Sequence, residues 1–267
     1  MTGPRLRRER PWLYWRQTPA WCAECDARVP GRIVSEVTRV YLERACRKHG
    51  HSRGLLAESL EFFQKRMLHP ARRAAAAARR PDPPDCPRDC AGPCKWHEGP
   101  VRRLLLPALP ALPALPALLR AAGEPLDDVV TGEAADDEAF LSIGRRDPDD
   151  ETLTRRLAEL PTLPGVRRAW IEAADGLPLD VLGARVARAA RLGDDALAPD
   201  PDAPLCLSHA RLPGADVALV LHAPMQAATL DLTRLLACSV WTATTDGGIV
   251  PACWARIRTK ATTDEHR

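Results

Sequence analysis

The chain has no run of about 18 or more uninterrupted apolar residues, so nothing in its 267 residues predicts a membrane-spanning helix. Its basic N-terminus is not followed by the apolar segment of an export signal, and we therefore expect a cytoplasmic protein. Lysine is scarce, with four of the 38 basic residues, and the formal net charge is only +3. This near balance gives no reason to expect nucleic acid as a partner. A glycine-rich phosphate loop is also absent, because Gly247-Gly248 does not follow a strand–helix pattern of that type.

Cysteine, in contrast, occurs in a marked pattern. Nine cysteines stand in a chain that is too long to be a small disulfide-stapled scaffold, and their spacings are those of metal ligands. We therefore expect reduced thiols that bind metal.

The first group consists of Cys22-Ala-Glu-Cys25 and, after twenty residues, Cys46-Arg-Lys-His49. Two ligand pairs around a hairpin-length insert are typical of a zinc ribbon or a rubredoxin-like knuckle. The insert predicts two short strands, at 32–34 and 40–42. So small a hairpin has little core, so zinc or mononuclear iron would supply its folding energy. His51 is an alternative ligand to His49.

The second group places Cys86, Cys90 and Cys94 within nine positions, with His97 three residues further on. Proline and glycine between them favour turns, which allow the sulfur atoms to converge. Three converging thiolates can hold a 4Fe–4S cluster, and the same loop with His97 could hold zinc.

The third group lies near the C-terminus. A predicted hairpin that turns at 246–248 brings Cys238 towards Cys253, and Cys206 is the remaining thiol that could join them in a second cluster.

The rest of the chain predicts regular elements. Apolar spacing predicts a helix over 54–67, and proline at every third position from 106 to 118 predicts a polyproline II rod. Strand and helix patterns then alternate, which predicts parallel strands joined by right-handed crossovers. The predicted elements are strands at 139–143, 166–173 and 216–221 and helices at 150–160, 180–192 and 231–237.

Four stretches, at 21–50, 86–97, 142–177 and 222–253, together resemble a branch of the radical S-adenosylmethionine superfamily. That branch includes archaeal tetraether lipid synthase and pterin methyltransferase-like proteins. The resemblance implies an α/β barrel preceded by a metal-binding ribbon, with the Cys86 loop as an auxiliary cluster site and a C-terminal cysteine hairpin.

The chain also departs from that branch. The Cys-x3-Cys-x2-Cys loop that would bind S-adenosylmethionine is replaced by 101–119, which contain no cysteine. Gly144-Arg145-Arg146 stands where the branch has Gly-Gly-Glu, and the paired C-terminal cysteines are reduced to Cys238-Ser239. The 168 residues after Gly99 are fewer than the roughly 200–250 of a complete eightfold barrel.

We therefore predict an α/β fold with an incomplete radical-SAM-like barrel. The predicted parts are a metal-binding knuckle (1–52), a helical connector (53–80), a cluster loop (81–99), a Pro-Ala-Leu linker (100–130), a truncated core (131–225), and a C-terminal helix and cysteine hairpin (226–267).

Three functions fit this sequence. The favoured one is a degenerate homologue that retains its metal sites for structure or for binding a protein partner. The second is an active radical enzyme that uses Cys86, Cys90 and Cys94 with S-adenosylmethionine, for methyl transfer or C–C bond formation on a lipid or pterin-like substrate. The third is a zinc-ribbon module that binds nucleic acid or protein. No catalytic residue is assigned. Nucleic-acid binding by the ribbon would use the arginines that surround it, which are Arg32, Arg39, Arg44 and Arg47.

Overall fold

A computed structural model describes most of the N-terminal sheet and of the α/β core. The described residues are 12–68, 103–106, 128–131, 138–144, 150–193, 196–200, 203, 205–236, 238, 240–243, 249–255 and 257. The predicted cluster loop at 81–99 and the Pro-Ala-Leu repeat beyond Leu106 lie outside these residues. Within the described ranges, no helix is both long and apolar enough to cross a membrane.

The N-terminal part folds as a four-stranded antiparallel sheet whose strands follow one another in chain order. The prediction identified its two central strands but made them too short and missed the outer pair. Residues 54–57, predicted as helical, pair with the third strand, and the sheet therefore extends beyond the predicted boundary at residue 52. The strands are β1 (Leu13–Cys22), β2 (Ala27–Glu36), β3 (Arg39–Cys46) and β4 (Gly50–Ala57), followed by helix α1 (Leu60–Leu68).

The outer strands and α1 give this sheet a core that the predicted hairpin lacked. Phe63 of α1 is almost fully buried and packs with Trp15 of β1 edge to face, at 5.6 Å between ring centroids. The other buried members of this core are Ala20, Cys22, Val29, Ile33, Val40, Leu42 and Ala57.

The chain continues with strands β5 (Arg103–Leu106) and β6 (Asp128–Thr131) and then enters a second sheet. In spatial order, its strands are β7 (Glu138–Ile143), β8 (Arg168–Ala173), β11 (Ala218–His222), β10 (Leu207–Arg211) and β9 (Ala198–Pro199). As the alternation predicts, β7, β8 and β11 are parallel, whereas the unpredicted β9 and β10 form antiparallel pairs at one edge. The helices in this part of the chain are α2 (Asp150–Glu159) and α3 (Leu179–Ala190).

After helix α4 (Leu232–Leu236), strands β12 (Val240–Ala243) and β13 (Ile249–Pro251) join β5 and β6 in a third sheet. Its order is β13-β12-β5-β6, in which β12, β5 and β6 are parallel and β13 forms an antiparallel hairpin with β12. Between the described strands of the second and third sheets there is no hydrogen-bonded ladder, so a radical-SAM barrel is not shown.

The two faces of the second sheet pack against different partners. Because side chains alternate along a strand, Ile171 and Leu219 point towards the helices, whereas Trp170 and Val220 point away from them. Trp170 and Val220 share a core with Val240 of β12. The face opposite the helices is therefore filled by large side chains.

Candidate metal centre

The ends of β1 and β3 bring the four predicted ribbon ligands together. Cys22 is the last residue of β1 and Cys46 the last residue of β3, and Cys25 and His49 lie in the turns that follow. Asp26 and Gly50 have φ values of 46° and 74°, so the backbone turns back sharply beside each ligand pair. The two turns thus meet at one end of the sheet.

The four ligand atoms lie within 4.8 Å of one another. The Cys25 and Cys46 sulfur atoms are 3.7 Å apart. His49 Nδ1 lies 3.4 Å from the Cys22 sulfur and 3.6 Å from the Cys46 sulfur. His51, the alternative ligand, lines a hollow of about 300 Å³ on the sheet and does not belong to this group.

These distances match a tetrahedral zinc site. Zinc binds thiolate at about 2.3 Å and imidazole at about 2.0 Å, so tetrahedral angles separate two sulfur ligands by about 3.8 Å and a sulfur from a nitrogen by about 3.5 Å. The three measured separations agree with these values to within about 0.1 Å. The residues present therefore fit a metal with three sulfur ligands and one nitrogen ligand.

The surroundings of the site divide the thiols electrostatically. The backbone N–H groups of His49 and Lys48 hold the pKa of Cys46 at about 6, whereas burial, together with the neighbouring Cys22 and Cys46, raises the pKa of Cys25 to about 11. Hydrogen bonding to Cys22 and then to Cys46 raises the pKa of His49. One thiol is thus poised as a thiolate, while Cys25 must lose a proton when metal binds.

Glu24, which the sequence analysis did not single out, stands behind the histidine. Its Oε2 lies 4.0 Å from His49 Nε2, on the ring edge opposite the ligand atom. At this distance the carboxylate does not accept a hydrogen bond from the imidazole, and its negative charge is one of the causes that raise the pKa of His49. The signal was available in the sequence, because Glu24 lies inside the Cys22-x-x-Cys25 pair.

The three C-terminal thiols lie in one region of the fold, with Cys238 and Cys253 buried and Cys206 partly buried, and they are spaced more widely than the ribbon ligands. Hydrogen bonding from Cys238 lowers the pKa of Cys253 to about 6, and the same contact, with burial, raises the pKa of Cys238. Burial raises the pKa of Cys206 to about 11. Across the described part of the chain, the ribbon group is the one set of three or more ligand atoms that lie within 4.8 Å of one another. A second cluster at Cys206, Cys238 and Cys253 therefore stays a prediction.

A buried polar pair that the sequence did not reveal lies close to these thiols. His222 Nδ1 is 3.1 Å from Glu172 Oε2, and both side chains are almost fully buried. The two residues are paired with each other on the neighbouring strands β8 and β11, near the carboxyl ends of both strands. This edge is where open α/β sheets bind ligands. The sequence gives no local signal for this pair, because the two residues lie 50 positions apart in the chain.

The predicted cluster-loop residues Cys86, Cys90, Cys94 and His97 lie outside the described residues, so their ligand role stays a prediction as well.

Comparison with known families identifies the N-terminal part. Residues 14–58 match a family model described as the HMPTM N-terminal zinc ribbon domain. This range contains all four ligands and nearly the whole first sheet, so the N-terminal part of the chain is a zinc ribbon domain with a Cys/His site that supports metal binding. No curated protein matches the chain. The resemblance to the radical S-adenosylmethionine superfamily finds no support in these comparisons and stays a prediction.

Proposed function

We propose that this chain is a metal-binding protein in which Cys22, Cys25, Cys46 and His49 hold one zinc ion, and in which the α/β core is a degenerate radical-SAM-like scaffold without radical activity. The observation that carries the zinc assignment is the agreement between the ligand separations and a tetrahedral centre.

The proposed zinc is structural. Four protein ligands complete a tetrahedral coordination shell and leave no open position for water or substrate. When bound, the metal would join the ends of β1 and β3 and supply folding energy to the sheet. Mononuclear iron could occupy the same donor set, and the zinc ribbon match favours zinc.

Packing of the α/β core supports the non-catalytic part of the proposal. Ligand sites are concave and water-accessible before binding. Here Trp170, at 1 % exposure, packs with Phe140, Val220 and Val240 on the sheet face opposite the helices. A bound cofactor on this face would have to displace those side chains.

The nucleic-acid alternative is disfavoured because three of the four arginines around the ribbon already donate hydrogen bonds to acceptors of the protein itself. Arg32 donates to Glu43 at 2.7 Å and Arg39 donates to Glu58 at 2.6 Å. Arg44 donates to the backbone carbonyls of Trp21 and Ala227. A phosphate group would have to compete with these carboxylates and carbonyls, whereas a protein partner would not need to separate them.

Metal analysis of the full chain tests the proposal. We expect purified wild-type protein to contain one ribbon zinc, and Cys46→Ser to lose it. Cys206→Ser removes a partly buried thiol outside the ribbon and is the matched control, which should retain that zinc. Unchanged zinc content in Cys46→Ser would refute the ligand assignment.

The radical-enzyme alternative has its own test. Anaerobic protein is reduced with dithionite in the presence of S-adenosylmethionine, and the mixture is analysed for 5′-deoxyadenosine. We expect none to form. Formation that depends on Cys86, Cys90 and Cys94 would refute the degenerate-scaffold proposal.

A further inference from the structure

The zinc ribbon packs against the C-terminal part of its own chain. Trp21, next to the ligand Cys22, meets Trp254 edge to face with ring centroids 5.3 Å apart, and Trp254 is next to Cys253. All four residues are buried. The apolar cluster around the two tryptophans is completed by Met225, Leu230, Leu232, Leu235 and Val250. One face of the ribbon therefore covers residues 225–236 and 249–254, which we call the C-terminal segment.

A buried carboxylate fixes this contact. Asp231, whose side chain is fully buried, accepts hydrogen bonds from Arg16 Nη2 at 2.7 Å and from the Thr18 hydroxyl at 2.5 Å. The same carboxylate accepts the backbone N–H groups of Thr233 and Arg234 at the start of α4. Asp231 thus joins β1 of the ribbon to a helix of the C-terminal segment.

A second contact comes from β3 and β4. Arg44, two residues before the ligand Cys46, donates to Trp21 O at 2.7 Å and to Ala227 O at 2.8 Å. Gly54 of β4 approaches Ala228 so closely that a Cβ atom there would lie 2.2 Å from the Ala228 carbonyl oxygen. Strand β1, which ends at Cys22, and strand β3, which ends at Cys46, therefore both contact the C-terminal segment.

We propose that metal in the ribbon keeps the C-terminal segment docked, and that loss of the metal releases this segment and uncovers Cys253. The inference rests on the zinc site proposed above. The link is covalent and short, because Trp21 is adjacent to Cys22 and Arg44 lies on the same strand as Cys46. Without metal, the ends of β1 and β3 keep their pairing with β2 and the hydrogen bond from Arg44 to Trp21 O but lose the ligand that Cys22 and Cys46 share, so Trp21 and Arg44 are held less firmly.

Alkylation of the full-length protein tests this inference. Iodoacetamide labelling of Cys253 is followed by peptide mass spectrometry, and fragment ions separate Cys253 from Cys238 in the same tryptic peptide. In wild-type protein Cys253 is 2 % exposed, so labelling requires local opening. We expect Cys46→Ser to raise the labelling rate about tenfold or more, a change that corresponds to about 1.4 kcal/mol in the opening equilibrium.

Asp231→Ala breaks the contact without touching a metal ligand. We expect this variant to keep its ribbon zinc and still label faster at Cys253. Arg211→Ala is the matched control, because it removes an exposed ion pair, with Asp216 at 2.9 Å, elsewhere on the surface. Labelling of the control should equal that of wild type.

Zinc content and hydrogen exchange, measured on the same samples, separate the outcomes. Loss of zinc in Cys46→Ser with Cys253 still protected would overturn this inference and leave the proposed zinc site standing. Zinc retained in Cys46→Ser would overturn both. Loss of amide protection in β8 together with the C-terminal segment would indicate global unfolding and would also overturn the inference.

Discussion

Replacement of Gly54 by alanine gives a sharp test of the packing between the ribbon and the C-terminal segment. The new Cβ would lie 2.2 Å from the oxygen, 2.6 Å from the carbonyl carbon and 3.0 Å from the Cβ of Ala228. Two of these atoms are backbone, so no side-chain rotation relieves the overlap. Either β4 or the turn at Ala227–Thr229 has to move.

The expected cost follows from the packing. Extra volume in a well-packed interior typically costs about 1–3 kcal/mol. For a protein of this size, each kcal/mol lowers the melting temperature by about 2–4 °C. Gly54 pairs with Leu42, four residues along β3 from the ligand Cys46, and we therefore expect zinc content to stay at the wild-type value.

Urea denaturation measures this cost, with Gly193→Ala as the matched control. An added Cβ at Gly193 has no heavy atom within 4 Å, so the free energy of unfolding should stay within about 0.5 kcal/mol of wild type. A Gly54→Ala variant that is as stable as Gly193→Ala would show that the ribbon and residues 227–229 do not pack as described.

Two further predictions concern the core and the metal. Trp170→Ala should leave a cavity between two sheets and lower the free energy of unfolding by about 3–5 kcal/mol, as measured by urea denaturation. If Trp170→Ala loses no more stability than Trp170→Phe, the packing described here is wrong. Lowering the pH from 8 to 5 should release the ribbon zinc to a colorimetric chelator, because protons compete with zinc for the three thiolates and the imidazole. Full retention of zinc at pH 5 would contradict the proposed ligand set.

The metal centre could be predicted from sequence because its information is local. Each ligand pair spans only four residues, so the spacing of the cysteines and the histidine alone indicates that each turn presents two donors to one point. Strand lengths were harder to predict. Pro30-Gly31 has the composition of a turn, yet both residues lie inside β2, opposite Pro19 and Thr18 of β1. Leu55-Leu56-Ala57 has an apolar run that suits either a helix or a strand, and pairing with β3 decides the outcome.

The contacts that place the ribbon could not be predicted, because their partners are far apart in the chain. Asp231 has one local role, because it lies directly before α4 and accepts the backbone N–H of Thr233, as a helix N-cap does. Its contact with Thr18 joins residues that lie 213 positions apart, and no spacing rule relates the two. The Glu172–His222 pair escaped prediction for the same reason.

The distance along the chain also sets how much stabilisation the ribbon contact has to supply. Closing a loop of 213 residues costs about 5 kcal/mol of chain entropy, which exceeds the net contribution of about 0.5–3 kcal/mol from any one hydrogen bond at Asp231. Burial of a tryptophan removes about 150–250 Å² from water and contributes up to about 4–6 kcal/mol. Contact between Trp21 and Trp254 is therefore expected to contribute more than any one of these hydrogen bonds, and Asp231 fixes the register. Metal bound within residues 14–58, as proposed above, would therefore stabilise a surface that extends beyond the ribbon to Trp254.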